Sequence, residues 1–170
     1  MFIRSERLFL RPPWPEDWRD LLAALSDTAI IDEHREQARC FTAAPQDRRT
    51  PHFLITLPGA EGPRLIGACG LDRKNDAVEM GLWIARDHRG RGYAAEACRA
   101  LLGLARALGH ARVIACASDD DSPAVGLLVR LGFAPTCQVR STGESDSRVF
   151  AIDMEVAGED TGGGPMPRAA

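Results

Sequence analysis

The amino-acid sequence predicts a mixed α/β fold, of the α+β kind, with a mostly antiparallel central sheet and helices packed against it. Two observations carry that prediction. Three short apolar segments, residues 52–57, 64–71 and 77–84, are separated by turn-forming stretches at 58–63 and 72–76, which suits an antiparallel meander. The third is followed by a helical pattern to about residue 108 and a buried strand at 112–117, and such a passage closes by a right-handed crossover onto a parallel neighbour.

With 170 residues, 45% hydrophobic and 26% charged, the chain suits one globular domain over residues 1–156. Residues 157–170, rich in Gly and Pro, have little to bury and read as a disordered tail. A net charge of −3 supplies no broad basic field, so long nucleic acid is not an expected partner. Five widely spaced cysteines without a C-x-x-C pair read as reduced, mostly structural thiols. Lacking an N-terminal signal block and any apolar run of membrane length, the sequence predicts a soluble cytoplasmic protein with no membrane partner.

Residues 2–11, ended by Pro12 and Pro13, read as a first strand. Residues 16–26 form a helix by the spacing of Trp18, Leu21, Leu22 and Leu25, with Pro15 in its first turn. The polar stretch 32–50 reads as a short solvated helix and loop, or as a wall of a substrate cleft that Trp14 and Trp18 would also line. In the strand at 77–84, Val78, Met80, Leu82 and Ile84 share one face, and Glu79, Gly81 and Trp83 the other. Further on, Ala94, Cys98, Leu101, Ala105 and Leu108 form the buried stripe of a helix capped by Gly109. Ser122 is the expected N-cap of a last helix, which ends at Leu131, and strands are expected at 133–140 and 148–156.

The chemistry concentrates at Arg89-Gly90-Arg91-Gly92-Tyr93-Ala94, between strand and helix. It has neither the G-K-[ST] ending of a P-loop nor the third glycine of a dinucleotide fingerprint. Backbone amides, the positive end of a helix and Arg86, His88, Arg89 and Arg91 nevertheless converge there, and a pyrophosphate suits that combination. No Ser-His-Asp or Cys-His arrangement can be assigned.

This segment fits an acyl-CoA signature of Gln or Arg, two residues, Gly, one residue, then Gly or Ala. Together with Ser5-Glu6-Arg7-Leu8-Phe9-Leu10-Arg11, Leu65-Ile66-Gly67, Glu79-Met80-Gly81-Leu82-Trp83-Ile84, Glu96 and Leu131-Gly132-Phe133, it resembles the GNAT acetyltransferase superfamily, in its branch of ribosomal-protein N-terminal acetyltransferase type. The resemblance implies a sheet splayed between strands 79–84 and 112–117, with helices on both faces. It implies acetyl-CoA as cosubstrate and no metal, with pantetheine in the splay against backbone near Ile84. Arg89, Gly90, Arg91, Gly92, Tyr93 and Ala94 would hold the pyrophosphate, and Asp121 stands where members carry a cofactor-binding Asn. It further implies direct attack by an amine acceptor within a ternary complex, with Glu79 as general base, and a homodimer is compatible with it.

The pattern breaks at the Tyr that members carry four residues after a Ser or Ala: this chain has Ala124 at the first position but Leu128 at the second. The absent phenol motivates an alternative, a non-catalytic acyl-CoA-binding module. Weak acid/base equipment favours an acceptor of lowered pKa: at pH 7 an α-amine is about 14% neutral and a lysine about 0.04%.

Overall fold

The computed structural model describes residues 1–25, 31–60, 62–75, 77–118, 120–142 and 145–154; the expected tail lies outside them. Strands β1 (Ile3–Arg4), β2 (Phe9–Arg11), β3 (His52–Leu57), β4 (Arg64–Lys74), β5 (Ala77–Ile84), β6 (Arg112–Ser118), β7 (Ala134–Thr142) and β8 (Ser145–Asp153) form one sheet in the order β1-β2-β3-β4-β5-β6-β8-β7. All neighbours are antiparallel except β5 and β6, which are parallel. Helices α1 (Trp18–Leu25), α2 (Ile31–Ala43), α3 (Tyr93–Ala107) and α4 (Ser122–Arg130) complete the fold.

Strand alternation sends apolar side chains to both faces. One face carries Phe53, Ile55, Ile66, Leu71, Val78, Met80 and Val113 into a core with Ala97, Cys98, Leu101 and Ala105 of α3. Ala97 and Leu102, outside the expected stripe, are buried as well, so α3 presents a wider apolar face than five positions suggest. The opposite face sends Leu54, Leu65, Ala68 and Trp83 against Leu21 of α1 and Ala38 of α2.

Five expectations change. The strand expected at 64–71 runs on through Asp72 and Arg73 to Lys74, and Asn75, at φ 51°, starts the turn. The first strand is two short strands joined by residues 5–8, because the Ser5 N–H donates to the Leu8 carbonyl at 3.0 Å and turns the chain. Far from being merely solvated, α2 spans 13 residues, buries Ala38 and Thr42, and lays the Arg39 guanidinium 4.6 Å from the Trp18 ring centroid. Asp121, not Ser122, caps α4, its Oδ1 accepting from the Ala124 N–H at 3.1 Å. The last two strands run further into their connection, with β7 reaching Thr142 and β8 starting at Ser145. Of the cysteines only Cys69 and Cys98 are buried, and burial pushes the Cys98 thiol up to about 12. Among the described residues no helix is long and apolar enough to cross a membrane.

A buried ion pair joins β2 to the start of α1. Arg11 donates through Nη1 and Nη2 to the two Asp17 oxygens, both at 2.7 Å, and the Trp14 N–H adds a third bond to that carboxylate. Burial raises the Asp17 pKa, but Arg11 and the Trp14 amide more than reverse this and leave it below the ordinary value. Its stabilisation is therefore full above the unfolded pKa of about 3.9 and is lost as pH falls through the lower folded value. Asp17→Asn is expected to cost about 3 kcal/mol at pH 7, since it strands a largely buried guanidinium. Denaturant titrations at pH 7 and pH 3 check this, and the difference from wild type should shrink at the lower pH.

Candidate active site

The site begins where the sheet comes apart. Strands β5 and β6 pair only at Val78↔Val113 and Glu79↔Ile114, although they continue to Ile84 and Ser118. From Met80 onward β5 is bonded to β4 alone, so a row of its peptide groups faces a gap. The Ala85 N–H donates to the Ile66 carbonyl at 2.8 Å, so alternation turns the peptide groups of Ile84 and Leu82 toward the open side. The Ile84 carbonyl is taken there by Arg89 Nε at 2.9 Å. That narrows the sequence expectation: the backbone at Ile84 offers the gap its N–H and not its C=O.

At the mouth of the gap a 3-10 turn, Arg86–His88, leads into the glycine loop. Gly90 at φ 72° and Gly92 at φ 81° hold left-handed conformations that a side chain would strain. Arg89, Gly90, Arg91 and Gly92 are exposed, while Tyr93 and Ala94 are half-buried. Gly92 is the N-cap of α3 and provides no side-chain cap, so the first-turn amides of a 15-residue helix point outward unsatisfied by any capping side chain. His88 does not add the charge the sequence suggested. It is buried, and burial, then Arg64 and Arg91, hold its pKa below the ordinary value, so the ring is neutral.

The loop is held from behind by residues far away in sequence. Glu96 Oε1 accepts from Ser5 Oγ and from the Arg7 N–H, each at 2.7 Å, and Oε2 accepts from Arg7 Nε at 2.8 Å. Arg7 Nη1 then donates to the Arg91 carbonyl at 3.0 Å, and its guanidinium lies 4.7 Å from the Tyr93 ring centroid. Burial raises the Glu96 pKa, yet the bonds from Ser5 and Arg7 bring it below the ordinary value and keep the carboxylate charged.

Glu79 lies at the closed end of the gap, on the sheet face that carries Gly81 and Trp83. Its Oε1 accepts from Arg140 Nη1 at 2.6 Å, and Oε2 is 3.5 Å from Lys74 Nζ. Burial pushes its pKa up, but the Cys116 thiol, Arg140 and Lys74 together leave it below the ordinary value. Cys116 shares the Ile114 face of β6, and burial and the neighbouring carboxylate raise its pKa. Sequence reading missed both partners. The parallel register would have revealed Cys116, whereas no local pattern announces Arg140, which reaches Glu79 from the far edge strand.

Other expected residues fall elsewhere. Asp121 is exposed and spends its carboxylate on capping α4, and Ser122 is exposed beside it. Leu128 is a core residue, with the Phe133 N–H donating to its carbonyl at 3.0 Å in the helix cap. Trp14 lies under the Arg11 guanidinium at 4.2 Å and Trp18 under Arg39, and neither lines the cavity beside Gly81 and Trp83. Ala38 and Phe41 of α2 do line it, so part of the 32–50 stretch is a cavity wall.

A family model described as an acetyltransferase (GNAT) domain matches residues 7–134. The Bacillus licheniformis protein p20, named an uncharacterized N-acetyltransferase, is 29% identical over 165 residues, covering 88% of this chain and 92% of p20. A GNAT-family acetyltransferase structure from Bacillus anthracis superposes with a TM-score of 0.73 at 21% identity, covering 90% of this chain and 98% of that one. RimL, a ribosomal L7/L12 α-N-protein acetyltransferase solved with coenzyme A, gives a TM-score of 0.72 at 15% identity over 92% of this chain and 99% of its own. The family match runs from the Arg7 clamp through the splayed strands and the glycine loop to the start of β7, and by it the chain belongs to the GNAT acetyltransferase family and is an acyltransferase enzyme.

Proposed function

We propose that this protein moves an acetyl group from acetyl-CoA to a primary amine, by direct attack on the thioester in a ternary complex. The observation that carries the reading is the contact between β5 and β6, two residue pairs long and opening toward the glycine loop. An extended amide-containing arm is the natural occupant of such a gap, since it can bond the Leu82 peptide groups and the Ile84 N–H as a further strand would. From Glu79 to Ile84 the gap runs about 17 Å at 3.3 Å per residue, so one end can hold a thioester while the other meets the loop. RimL and the acetyltransferase MccE, solved with coenzyme A and with acetyl-CoA and AMP respectively, share this fold and support the choice of donor.

In this reading the pyrophosphate sits on the amides of Gly90, Arg91, Gly92, Tyr93 and Ala94, with Arg91 and Arg89 adding charge. Arg7 and Glu96 act as positioning residues, because they fix the loop before the donor arrives. Asp121 is proposed at the edge of the donor site, where its cap fixes α4. The neutral amine attacks and gives a tetrahedral oxyanion and a cationic nitrogen; as the oxyanion collapses the C–S bond breaks, the CoA thiolate takes a proton from water at the open mouth, and the hydroxide so formed takes the proton that leaves the nitrogen. Glu79 is the catalytic residue proposed on β5. Arg140, Lys74 and Cys116 make it a weak proton acceptor, so its effect is chiefly to stabilise the cationic nitrogen.

The test is thiol release from acetyl-CoA across a panel of N-terminal peptides and small amines. Amine-dependent release supports the reading; tight CoA binding with no release by any amine would return the chain to a cleft that only holds acyl-CoA. Combining Arg89→Glu with Gly92→Val should weaken CoA binding by about tenfold or more in calorimetry, through lost charge and a strained φ at the helix start. For Glu79→Gln the expected loss in kcat is on the order of tenfold, or about 1.4 kcal/mol, with the shape of the pH–rate profile between pH 6 and 9 unchanged. A profile shifted upward would mean that Glu79 itself takes the proton.

A further inference from the structure

Helices α1 and α2 meet along a groove on the side turned away from the sheet. Arg19, Leu22 and Ala23 of α1 and Arg35 and Arg39 of α2 surround a space of about 420 Å³ beside the Trp18 ring. Helical spacing builds it, since Trp18 and Leu22, Arg19 and Ala23, and Arg35 and Arg39 are pairs four residues apart, each pair on one stripe of its helix. Leu21 and Ala38, on other stripes, take the sheet side. Arg19, Ala23, Arg35 and Arg39 are exposed, and Trp18 and Leu22 are half-buried.

Like charges gathered this closely repel, and two of them four residues apart weaken their own helix. No acidic side chain lines the groove among the described residues, although the chain holds 24 Asp and Glu. The acids adjacent in sequence are placed elsewhere: Asp20 lines a cavity with Arg64 on the other flank of α1, and Glu36 accepts from the Cys40 thiol at 3.9 Å. Arg19 and Arg39 use their guanidiniums for no hydrogen bond or ion pair among the described residues. Both lie against the Trp18 ring instead, at 5.3 and 4.6 Å from its centroid. Stacking fixes the plane of a guanidinium and leaves its in-plane N–H donors open to a partner.

We propose that this groove docks an acidic segment of a second polypeptide, with Arg19 and Arg39 donating paired hydrogen bonds to its carboxylates and Arg35 adding charge. Planar guanidiniums match carboxylates two bonds at a time, and the apolar surface of Leu22 and Ala23 suits the methylene stems of Glu. Three cations spread over two helices take several carboxylates at once, which a chain of acids presents and a single small anion does not. Nucleic acid fits less well, because the ring on which a base would stack is covered by two guanidiniums and otherwise packed against the core. The groove shares no residue with the glycine loop or with the gap between β5 and β6, so docking leaves both open.

Fluorescence anisotropy of a labelled peptide of alternating Glu and Ala, titrated with the full chain, tests this. Its counterpart with Gln for Glu and an oligothymidylate of equal charge are the comparisons. The acidic peptide should bind at least about tenfold more tightly than the Gln peptide, and its affinity should fall about tenfold between about 50 and 300 mM salt. Combining Arg19→Glu with Arg39→Glu should weaken binding about tenfold or more. Because Arg39 also joins α2 to α1 through Trp18, Arg35→Glu is the second variant; it leaves both stacked guanidiniums in place and should weaken binding about threefold. Saturating CoA should leave the peptide bound. Equal affinity for the Gln peptide, wild-type affinity in either folded variant, displacement by CoA, or tighter binding of the oligothymidylate would overturn the inference.

Discussion

The molecule is organised by the two residue pairs that join β5 to β6. A sheet that stayed zipped would satisfy its own peptide groups and leave nothing for a ligand to bond. A sheet that separated completely would lose the crossover that places α3 at the end of β5. Pairing at Val78↔Val113 and Glu79↔Ile114 holds the halves together on one side, and buried Val78 and Val113 reinforce the joint from the α3 core. Everything at the site is then ordered along one line, with the Glu79 carboxylate at the closed end, the peptide groups of Leu82 and the N–H of Ile84 in the middle, and the glycine loop at the mouth.

The mouth is fixed by a second constraint. A loop containing two left-handed glycines and three arginines' worth of nearby charge would be poorly ordered alone. Here the chain before the first helix is folded back so that Ser5 and Arg7 lock onto Glu96 one turn into α3. Because Glu96 remains ionised, the lock is electrostatic as well as hydrogen-bonded, and through Arg7 it reaches the Arg91 carbonyl. The N-terminal hairpin, far from the gap in sequence, is thereby part of what holds the glycine loop.

Much of this was legible from residues alone. The strands at 52–57 and 77–84 fell where turn chemistry bounded them, whereas β4 runs through three residues of the expected turn to Lys74, and the two-faced pattern of Val78, Met80 and Ile84 against Glu79, Gly81 and Trp83 survives as two cores. The glycine loop was recognisable because its backbone requirement is local. What was not legible is what depends on register or on reach. Arg140 engages Glu79 from a strand at the far edge, and Cys116 meets it only through the parallel pairing. Asp121 and Ser122 compete for one cap, and propensity alone does not separate them. The polar composition of 32–50 hid a helix whose Ala38 is buried, because small residues and stacked arginines carry its inner face where bulky apolar ones were sought.

The exposed peptide groups of β5 also have a kinetic meaning. Leu82 and Ile84 lie in mid-sheet, bounded by β4 and packed from both faces, yet their amides face a gap and not a neighbouring strand. Solvent should therefore exchange those hydrogens as readily as it does in a loop, although the strand that carries them is paired with β4 along its whole length. Rigidity and protection part company at this strand, and an arm seated in the gap would bring them back together without moving an atom of the backbone.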